Sequence, residues 1–278
     1  MNLDKTISDL IARVPEPVAD TYLDEEGFKM CAKCHTRREA LFEFQEKKKK
    51  VPCICKCQAE ALNTEEENRK KEEKMRRVEQ LRRTGFSDKS LAKCTFENDD
   101  QTHANITKAA KNYVENFSEL KSKGKGLLFY GGAGTGKTFI AACIANALID
   151  KGIPVMVTNF TRISNKLQES FEGRQAYLDS LCLFDLLIID DLAAERKTEF
   201  MQETVYNVID ARYRSGLPMI ITTNLTLDEI KNPADESDVR IYDRLLEKCF
   251  PIEFKGSSHR RKNIRDEYGD MKNLLGLN

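Results

Sequence analysis

The chain has 278 residues, of which 45 are Lys or Arg and 45 are Asp or Glu, so its formal net charge is zero. A chain of this length can hold one catalytic domain and a small accessory module, and its balanced charge excludes a global field that would hold it on nucleic acid or on an anionic membrane. No apolar run approaches the roughly 18 residues of a bilayer span, and the N-terminus MNLDKTISDL lacks the basic and then apolar layout of a signal peptide, so we expect a cytoplasmic protein with no membrane partner.

The first feature along the chain is a group of cysteines. A C-x₂-C pair is followed by C-x-C-x-C, which gives Cys31, Cys34, Cys53, Cys55 and Cys57. A reducing cytosol keeps such thiols free, and their spacing is typical of tetrahedral zinc, which takes four ligands. His35 is a further option, and the spacing does not tell which of the last three cysteines is spare. A redox-active or iron–sulfur cluster and unligated thiols are the alternatives.

The segment around the cysteines is too short to bury a core of its own. We therefore expect the metal to supply the folding energy of an N-terminal module over residues 1–59. A basic run, Lys47–Lys50, lies between the two cysteine groups, close to Glu43 and Glu46. The run is either a solvated hairpin tip or a phosphate contact, and the sequence leaves both open.

A highly charged segment follows the cysteines. From Glu60 to Arg83 acidic residues lead basic ones, and the segment contains no Gly or Pro. This pattern favours a solvated helix with i,i+4 ion pairs that acts as a semi-rigid connector over residues 60–85. A dedicated binding surface is the alternative to a solvated face.

Residues 86–278 have the pattern of an α/β domain. Short apolar runs alternate with helical patterns, which predicts a parallel sheet covered by helices on both faces. The predicted strands are GKGLLFY (124–130), IPVMVTNF (153–160), LFDLLIID (183–190), LPMIITTN (217–224) and PIEF (251–254). The predicted helices lie around 137–150, 161–172, 198–214 and 238–249.

The run GGAGTGKT lies directly after the first predicted strand and directly before an apolar helix. It fits G-x-x-x-x-G-K-[ST], in which glycines let backbone N–H groups face a phosphate and the helix adds the positive end of its dipole. Lys137 would reach the β- and γ-phosphates of ATP, and Thr138 would ligate Mg²⁺. The predicted nucleotide contacts are Gly131, Gly132, Ala133, Gly134, Thr135, Gly136, Lys137, Thr138 and Phe139.

Two acids and an amide follow later strands. LLIIDD ends in Asp190 and Asp191, a layout that delivers one carboxylate to the metal and a second to the attacking water. Glu195 is a second candidate base, and the sequence cannot rank it against Asp191. Asn224 follows the strand MIITT, where a neutral amide can bind a γ-phosphate oxygen and the lytic water.

Arginines complete the predicted electrostatics. Charge that develops on the transferred phosphoryl group is stabilised by a guanidinium from the same chain or from a neighbouring subunit. The candidates are Arg240, Arg244, Arg260 and Arg261. Arg240 and Arg244 are one turn apart on a predicted helix, so they share a face that could point into an adjacent protomer.

The order of these motifs resembles that of the AAA+ ATPases. From about residue 86 to residue 265 the chain is similar to one branch, the helicase-loader family of DnaC and DnaI, with the IstB-type transposition ATPases as close relatives. The stretches that carry the resemblance are DDLAAERKTEF (190–200), NVIDARYRSGLPMIITTNL (207–225) and RIYDRL (240–245). Loaders of this kind often have Gly where this chain has Ala193.

The resemblance implies a role for each matching residue. It makes Lys137 and Thr138 the Walker A pair, Asp190 and Asp191 the Walker B pair, Asn224 sensor 1, Arg244 an arginine finger in trans and Arg260 sensor 2. Arg240 is the alternative finger. A finger in trans also implies self-association, because it acts only when protomers stack.

The resemblance implies a function as well. Such loaders bind a replicative helicase of the DnaB type through a zinc-binding N-terminal domain and, with ATP, help to place it on single-stranded DNA. We therefore expect a helicase loader with Zn²⁺, Mg²⁺ and ATP as cofactors and slow, switch-like hydrolysis. The alternatives are an IstB-type helper of a transposase, which acts on double-stranded DNA, and a non-catalytic adaptor in which zinc and nucleotide are structural.

Overall fold

The computed structural model describes residues 20–44, 47–169, 173–194 and 198–258, together with Tyr268 and a few residues after it. The chain divides into two compact units, Met1–Met75 and Arg76–Asn278. This division lies inside a long helix, and the domain limits after residues 59 and 85 stay a prediction.

The N-terminal unit contains two antiparallel strand pairs. Strand β1 (Thr21–Leu23) pairs with β2 (Lys29–Cys31), and β3 (Glu39–Phe44) pairs with β4 (Lys47–Pro52). Helix α1 (Lys56–Gly85) begins in this unit. The basic run found in the sequence therefore forms the first part of β4.

Helix α1 is the charged helix that the sequence predicts over residues 60–85. Its side chains are exposed from residue 60 to residue 77. Ion pairs one turn apart lie along it, such as Lys70 Nζ at 2.7 Å from Glu66 Oε1. Each exposed pair of this kind contributes only about 0.2–0.5 kcal/mol. Val78 and Leu81, near the end of the helix, pack on the core of the second unit.

The second unit is built on a five-stranded parallel sheet with the strand order β6-β7-β8-β5-β9. Its strands are β5 (Gly126–Gly131), β6 (Val155–Asn159), β7 (Leu186–Leu192), β8 (Met219–Thr223) and β9 (Cys249–Phe254). Its helices are α2 (Ala104–Glu115), α3 (Phe117–Ser122), α4 (Lys137–Asp150), α5 (Phe160–Glu169), α6 (Arg174–Leu181), α7 (Glu199–Ser215), α8 (Leu227–Lys231) and α9 (Glu236–Lys248). The predicted α/β fold is confirmed.

The core lies on both faces of this sheet. In β7, Leu186 and Ile188 belong to a cluster with residues of α2 and α4, whereas Leu187 and Ile189 belong to a cluster with residues of α5, α7 and α9. All four side chains are fully buried. Successive residues of a strand point to opposite faces, so a strand covered on both sides needs a continuous apolar run.

The structure also departs from the predicted pattern. Strand β9 begins at Cys249 rather than at residue 251, and β7 continues to Leu192. Helices α2, α3, α6 and α8 were not predicted. Helices α3, α6 and α8 have eight residues or fewer; helices this short are marginal by themselves and depend on tertiary packing, so their local sequence gives a weak signal. Within the described ranges, no helix has both the length and the apolar character needed to cross a membrane.

The sheet order brings the predicted motifs to one edge. Strand β8 lies between β5 and β7, and all three are parallel. Their carboxyl ends therefore lie side by side, at the edge where open α/β sheets bind ligands. The glycine-rich loop after β5, the acids at the end of β7 and Asn224 after β8 meet there.

Candidate nucleotide site and metal centre

The glycine-rich loop joins β5 to α4 and lies close to other segments of the same polypeptide. Gly134 has a φ of 78° and Gly136 a φ of 98°, both in the left-handed region. A Cβ on Gly134 would also lie 2.2 Å from Ser258 Oγ. Both positions therefore need glycine, because an L side chain there would be strained and at Gly134 would also clash.

Helix α4 begins directly behind this loop. Its N-cap is Gly136, which has no side chain to accept from the first turn. The amide N–H groups of that turn therefore need an acceptor from outside the helix, and the positive end of the helix dipole favours an anion there. The loop and helix fit the phosphates of a nucleotide.

Lys137 is 4% exposed and is held over the loop. Its Nζ donates to Gly131 O at 2.8 Å, to Gly132 O at 2.7 Å and to Asn224 Oδ1 at 2.9 Å. The lysine from the β5 loop and the amide from the end of β8 thus share one hydrogen bond. The ammonium can exchange these neutral acceptors for the oxygens of a phosphate, with which it makes a stronger, charge-assisted hydrogen bond.

A second hydrogen-bond network lies beside the lysine. The Thr138 hydroxyl donates to Asp190 Oδ1 at 2.8 Å, and the Thr222 hydroxyl donates to the same oxygen at 2.6 Å. Thr222 Oγ1 in turn accepts from the Asp191 N–H at 2.9 Å. The hydroxyl and carboxylate oxygens of Thr138 and Asp190 are the kind of ligands that Mg²⁺ takes in nucleotide sites.

The two adjacent acids have different environments. Burial raises the pKa of the Asp190 carboxyl, although hydrogen bonds from Thr222 and Thr138 lower it, and the nearby charge of Asp191 raises it further. Asp191 is exposed, with a left-handed φ of 56°. A partly buried carboxylate beside an exposed one can serve a metal and a water molecule separately. Glu195, the other candidate base, lies outside the described residues.

Ala193 also adopts the left-handed conformation, with a φ of 68°. A glycine would reach this conformation without the steric cost that alanine incurs, on the order of 1 kcal/mol. The backbone at Ala193 therefore has a conformation that suits glycine, the residue more often found at this position in the resembling loaders.

A cavity of about 240 Å³ lies beside the loop. Phe139 lines it together with Asn98, Asp99, Asp100, His103, Thr135, Gly136 and Ile140. His103 Nε2 lies 3.0 Å from Thr135 O, which links the start of α2 to the glycine-rich loop. The mixture of one aromatic ring, aliphatic atoms and polar groups is typical of a pocket for a flat heterocycle.

The two described candidate arginines differ in their surroundings. Arg240 is exposed and lines a cavity with Gln202 and Glu203. The Arg244 side chain is 24% exposed, and its Nη2 lies 2.8 Å from Asp210 Oδ1 of the same chain. Neither arginine is brought to the nucleotide loop of its own chain. Arg260 and Arg261 lie outside the described residues.

Four of the five clustered cysteines come together in the N-terminal unit. The sulfurs of Cys31, Cys34, Cys55 and Cys57 all lie within 4.8 Å of one another, with Sγ–Sγ distances of 3.6 Å between Cys31 and Cys57 and 3.4 Å between Cys55 and Cys57. A tetrahedral zinc with Zn–S bonds of about 2.3 Å separates its sulfurs by about 3.8 Å, so these residues fit the ion.

Cys53 and His35 are outside this four-cysteine cluster. Cys53 Sγ instead donates to Arg37 O at 3.6 Å, and His35 Nδ1 lies 3.0 Å from the Tyr22 hydroxyl. Within the cluster, a hydrogen bond with the Thr36 hydroxyl lowers the pKa of Cys34 to about 5, which favours the thiolate that binds metal. The structure thus selects four ligands where the sequence left five.

Sequence reasoning missed two residues of the nucleotide site. Thr222 lies two residues before Asn224, so the alternation along β8 was a signal that both could serve the same site. His103 had no such signal, because it lies far along the chain from the loop that it contacts.

The fold and this site define a P-loop nucleotide-binding protein of the α/β class. Residues 39–267 match the family of IstB-like ATP binding proteins. The match spans most of the chain, and the chain therefore belongs to this family of P-loop ATPases.

Several named relatives are replicative helicase loaders. DnaI of Bacillus subtilis is 25% identical over 207 residues, which cover 69% of this chain and 66% of the relative, just under two thirds of its length. DnaC of Escherichia coli is 27% identical over 183 residues, which cover 63% of this chain and 72% of the relative.

Crystal structures of two such proteins share the fold. The structure of DnaI has a TM-score of 0.53 at 21% identity and covers 63% of this chain and 95% of its own. That of the DnaC helicase loader has a TM-score of 0.53 at 23% identity and covers 60% of this chain and 100% of its own.

Proposed function

We propose that this protein is an ATP-dependent loader of a DnaB-type replicative helicase, which it helps to place on single-stranded DNA. The observation that carries the nucleotide part is the convergence of Lys137, Thr138, Asp190 and Asn224 at the start of α4. The helicase part is supported by the names of the relatives, which are replicative helicase loaders.

In this proposal the loop from Gly131 to Thr138 holds the phosphates of ATP, and Lys137 turns from the loop carbonyls toward the β- and γ-phosphates. Thr138 and Asp190 would hold Mg²⁺, which supplies positive charge to the phosphate oxygens when bound. The cavity beside Phe139 would take the base. The present hydrogen bond between Thr138 and Asp190 keeps both oxygens oriented toward the same point.

The remaining predicted site residues have roles in ATP hydrolysis in this proposal. Asp191 or Glu195 orients the attacking water, and Asn224 contacts the γ-phosphate. Arg244 of a neighbouring protomer stabilises the charge on the transferred group, with Arg240 as the alternative, and Arg260 acts as sensor 2. Because one arginine comes from a neighbour, turnover requires that protomers associate.

The cysteine cluster has a separate role in the proposal. Cys31, Cys34, Cys55 and Cys57 bind Zn²⁺, which would stabilise a unit whose strand pairs are too small to fold by themselves. This zinc-bound unit grips the helicase, and the ATPase unit meets single-stranded DNA.

The test uses the full chain and three variants in a pull-down with the replicative helicase of the same cell. Cys34→Ser is expected to lose helicase binding, whereas Lys137→Ala keeps it but no longer transfers the helicase to single-stranded DNA. Capture of the helicase by neither the wild type nor Lys137→Ala would contradict the proposal. Cys53→Ser, which leaves the four-cysteine cluster intact, is the matched control.

The family match also favours a second candidate, a helper of a DNA transposase of the IstB type. Such a helper acts on double-stranded rather than single-stranded DNA. Adding duplex or single-stranded DNA to the ATP-bound protein separates the two functions. Assembly stimulated by duplex DNA, without helicase binding, would favour the transposase helper.

A further inference from the structure

Arg244 is engaged within its own chain in this structure. Its Nη2 lies 2.8 Å from Asp210 Oδ1 and 3.4 Å from the Tyr206 hydroxyl. The guanidinium also lies over the rings of Tyr206 and Tyr213, at 4.9 and 5.6 Å from their centroids. A carboxylate and two aromatic rings of α7 therefore hold the guanidinium of α9 close to its own protomer.

The contact with α7 does not provide a hydrogen-bond acceptor for every nitrogen of the Arg244 guanidinium. Arg244 Nη1 is buried and has no hydrogen-bond partner among the described residues. Arg244 therefore keeps donor capacity for a second partner, and a phosphate can accept two parallel hydrogen bonds from one guanidinium.

Asp210 does not depend on Arg244 alone. Its Oδ2 lies 2.7 Å from Nε of Arg214, which is on the same helix and 74% exposed. Asp210 itself is only 13% exposed, and a largely buried carboxylate that lost its one cation would be costly. Since Arg214 stays beside Asp210, the departure of Arg244 leaves no isolated buried charge.

We propose that Asp210 is a positioning residue, which holds Arg244 in its own protomer and withholds it from a neighbour's nucleotide until protomers associate. This inference rests on the proposed role of Arg244 in trans. The ion pair stabilises the separate protomer and is broken in the assembly, so it opposes association. Removing it shifts the equilibrium toward the assembled form by the free energy of the lost contact.

The test is Asp210→Asn in the full chain. ATP hydrolysis and sedimentation with a non-hydrolysable ATP analogue are both measured against protein concentration. The half-maximal concentration is expected to fall about tenfold, which corresponds to the loss of one close ion pair. The turnover number at saturating protein is expected to stay at the wild-type value, because in this proposal Arg244 has already left Asp210 when it acts on the neighbour's nucleotide.

Two further variants separate this role from a merely structural one. Asp210→Glu keeps the carboxylate and returns the half-maximal concentration toward the wild-type value. Arg214→Gln also disturbs the ion cluster, but it leaves the Arg244 contact in place and does not lower the half-maximal concentration. If the effect came instead from a general loosening of α7, the half-maximal concentration would change in the same direction for Asp210→Glu and Arg214→Gln.

Tyr206→Leu covers the case in which Asp210→Asn fails to fold. It removes the ring and hydroxyl from the same contact without leaving an unpaired charge, and it is expected to lower the half-maximal concentration by less than Asp210→Asn. An unchanged half-maximal concentration in the folded variants overturns the inference, as does a lower turnover number at saturation. Full activity of Arg244→Ala would instead refute the trans role itself.

Discussion

The Thr138 hydroxyl donates a 2.8 Å hydrogen bond to Asp190 Oδ1, which joins the start of α4 to the end of β7. Thr222 on the intervening strand β8 donates to the same oxygen. One partly buried carboxylate oxygen thus joins three elements that are distant in the sequence. In the proposed function this is the point at which a magnesium ion would be held.

Asp190→Asn is expected to remove the magnesium dependence of nucleotide affinity, because an amide lacks the negative charge that the ion requires. Binding of ATP should be measured calorimetrically with Mg²⁺ and with EDTA. Asp191→Asn is the matched control, and it should keep the magnesium effect while it reduces turnover. If Asp190→Asn binds ATP better with Mg²⁺ than with EDTA to the wild-type extent, the metal assignment is wrong.

Lys137→Ala is expected to weaken ATP binding about 100-fold or more, because a buried charged contact to the phosphates is lost. Lys89→Ala, which changes an exposed lysine outside the site, is the control. Binding can be measured with a fluorescent ATP analogue. Tight binding by Lys137→Ala would refute the phosphate-loop assignment.

Arg244→Ala is expected to keep ATP affinity within about twofold and to reduce hydrolysis about a thousandfold, since an arginine finger acts mainly on the transition state. The specific activity of the wild type should also rise with protein concentration. Specific activity that is constant over the whole concentration range would contradict an arginine supplied in trans.

Two cysteine variants test the proposed zinc site. Cys34→Ser is expected to lose bound zinc and to unfold the N-terminal unit, whereas Cys53→Ser should retain one zinc per chain, because Cys53 Sγ lies outside the cluster. Zinc content is measured by atomic emission on the purified proteins. Loss of zinc in Cys53→Ser would show that the ligand set is different.

Arg212 makes a prediction about stability. It is fully buried and donates to the carbonyl oxygens of Leu181, Phe184 and Pro218. Arg212→Met removes these buried hydrogen bonds and is expected to lower the free energy of unfolding by about 3 kcal/mol. Arg214→Met, at an exposed position, should change it by less than about 0.5 kcal/mol. Urea unfolding of the two variants measures the difference, and equal effects would contradict this role for Arg212.

Much of the ATPase unit could be predicted from local sequence. The loop from Gly131 to Thr138 needs glycine at positions that the backbone makes left-handed, and strands such as β7 and β8 need continuous apolar runs because helices cover both faces. Both requirements fix the residue types of consecutive positions in the sequence. They are therefore visible without knowing what lies across the sheet.

The tertiary structure decided which side-chain atoms come into contact. Lys137 and Asn224 were chosen from separate motifs, but Thr222 and His103 became visible only when β8 and α2 were placed beside the glycine-rich loop. Likewise, the spacing does not distinguish Cys53 from Cys55. Only the fold places the Cys55 sulfur in the four-cysteine cluster and the Cys53 sulfur outside it.

The sequence by itself determined the class of fold and the segments that bear the chemistry, because backbone conformation and burial follow from residue type and period. Only the tertiary structure decided the partners of each side chain, as for Arg244 and Asp210. A hydrogen bond or ion pair depends on distances of a few ångström between residues far apart in the chain, and no local pattern encodes such a distance.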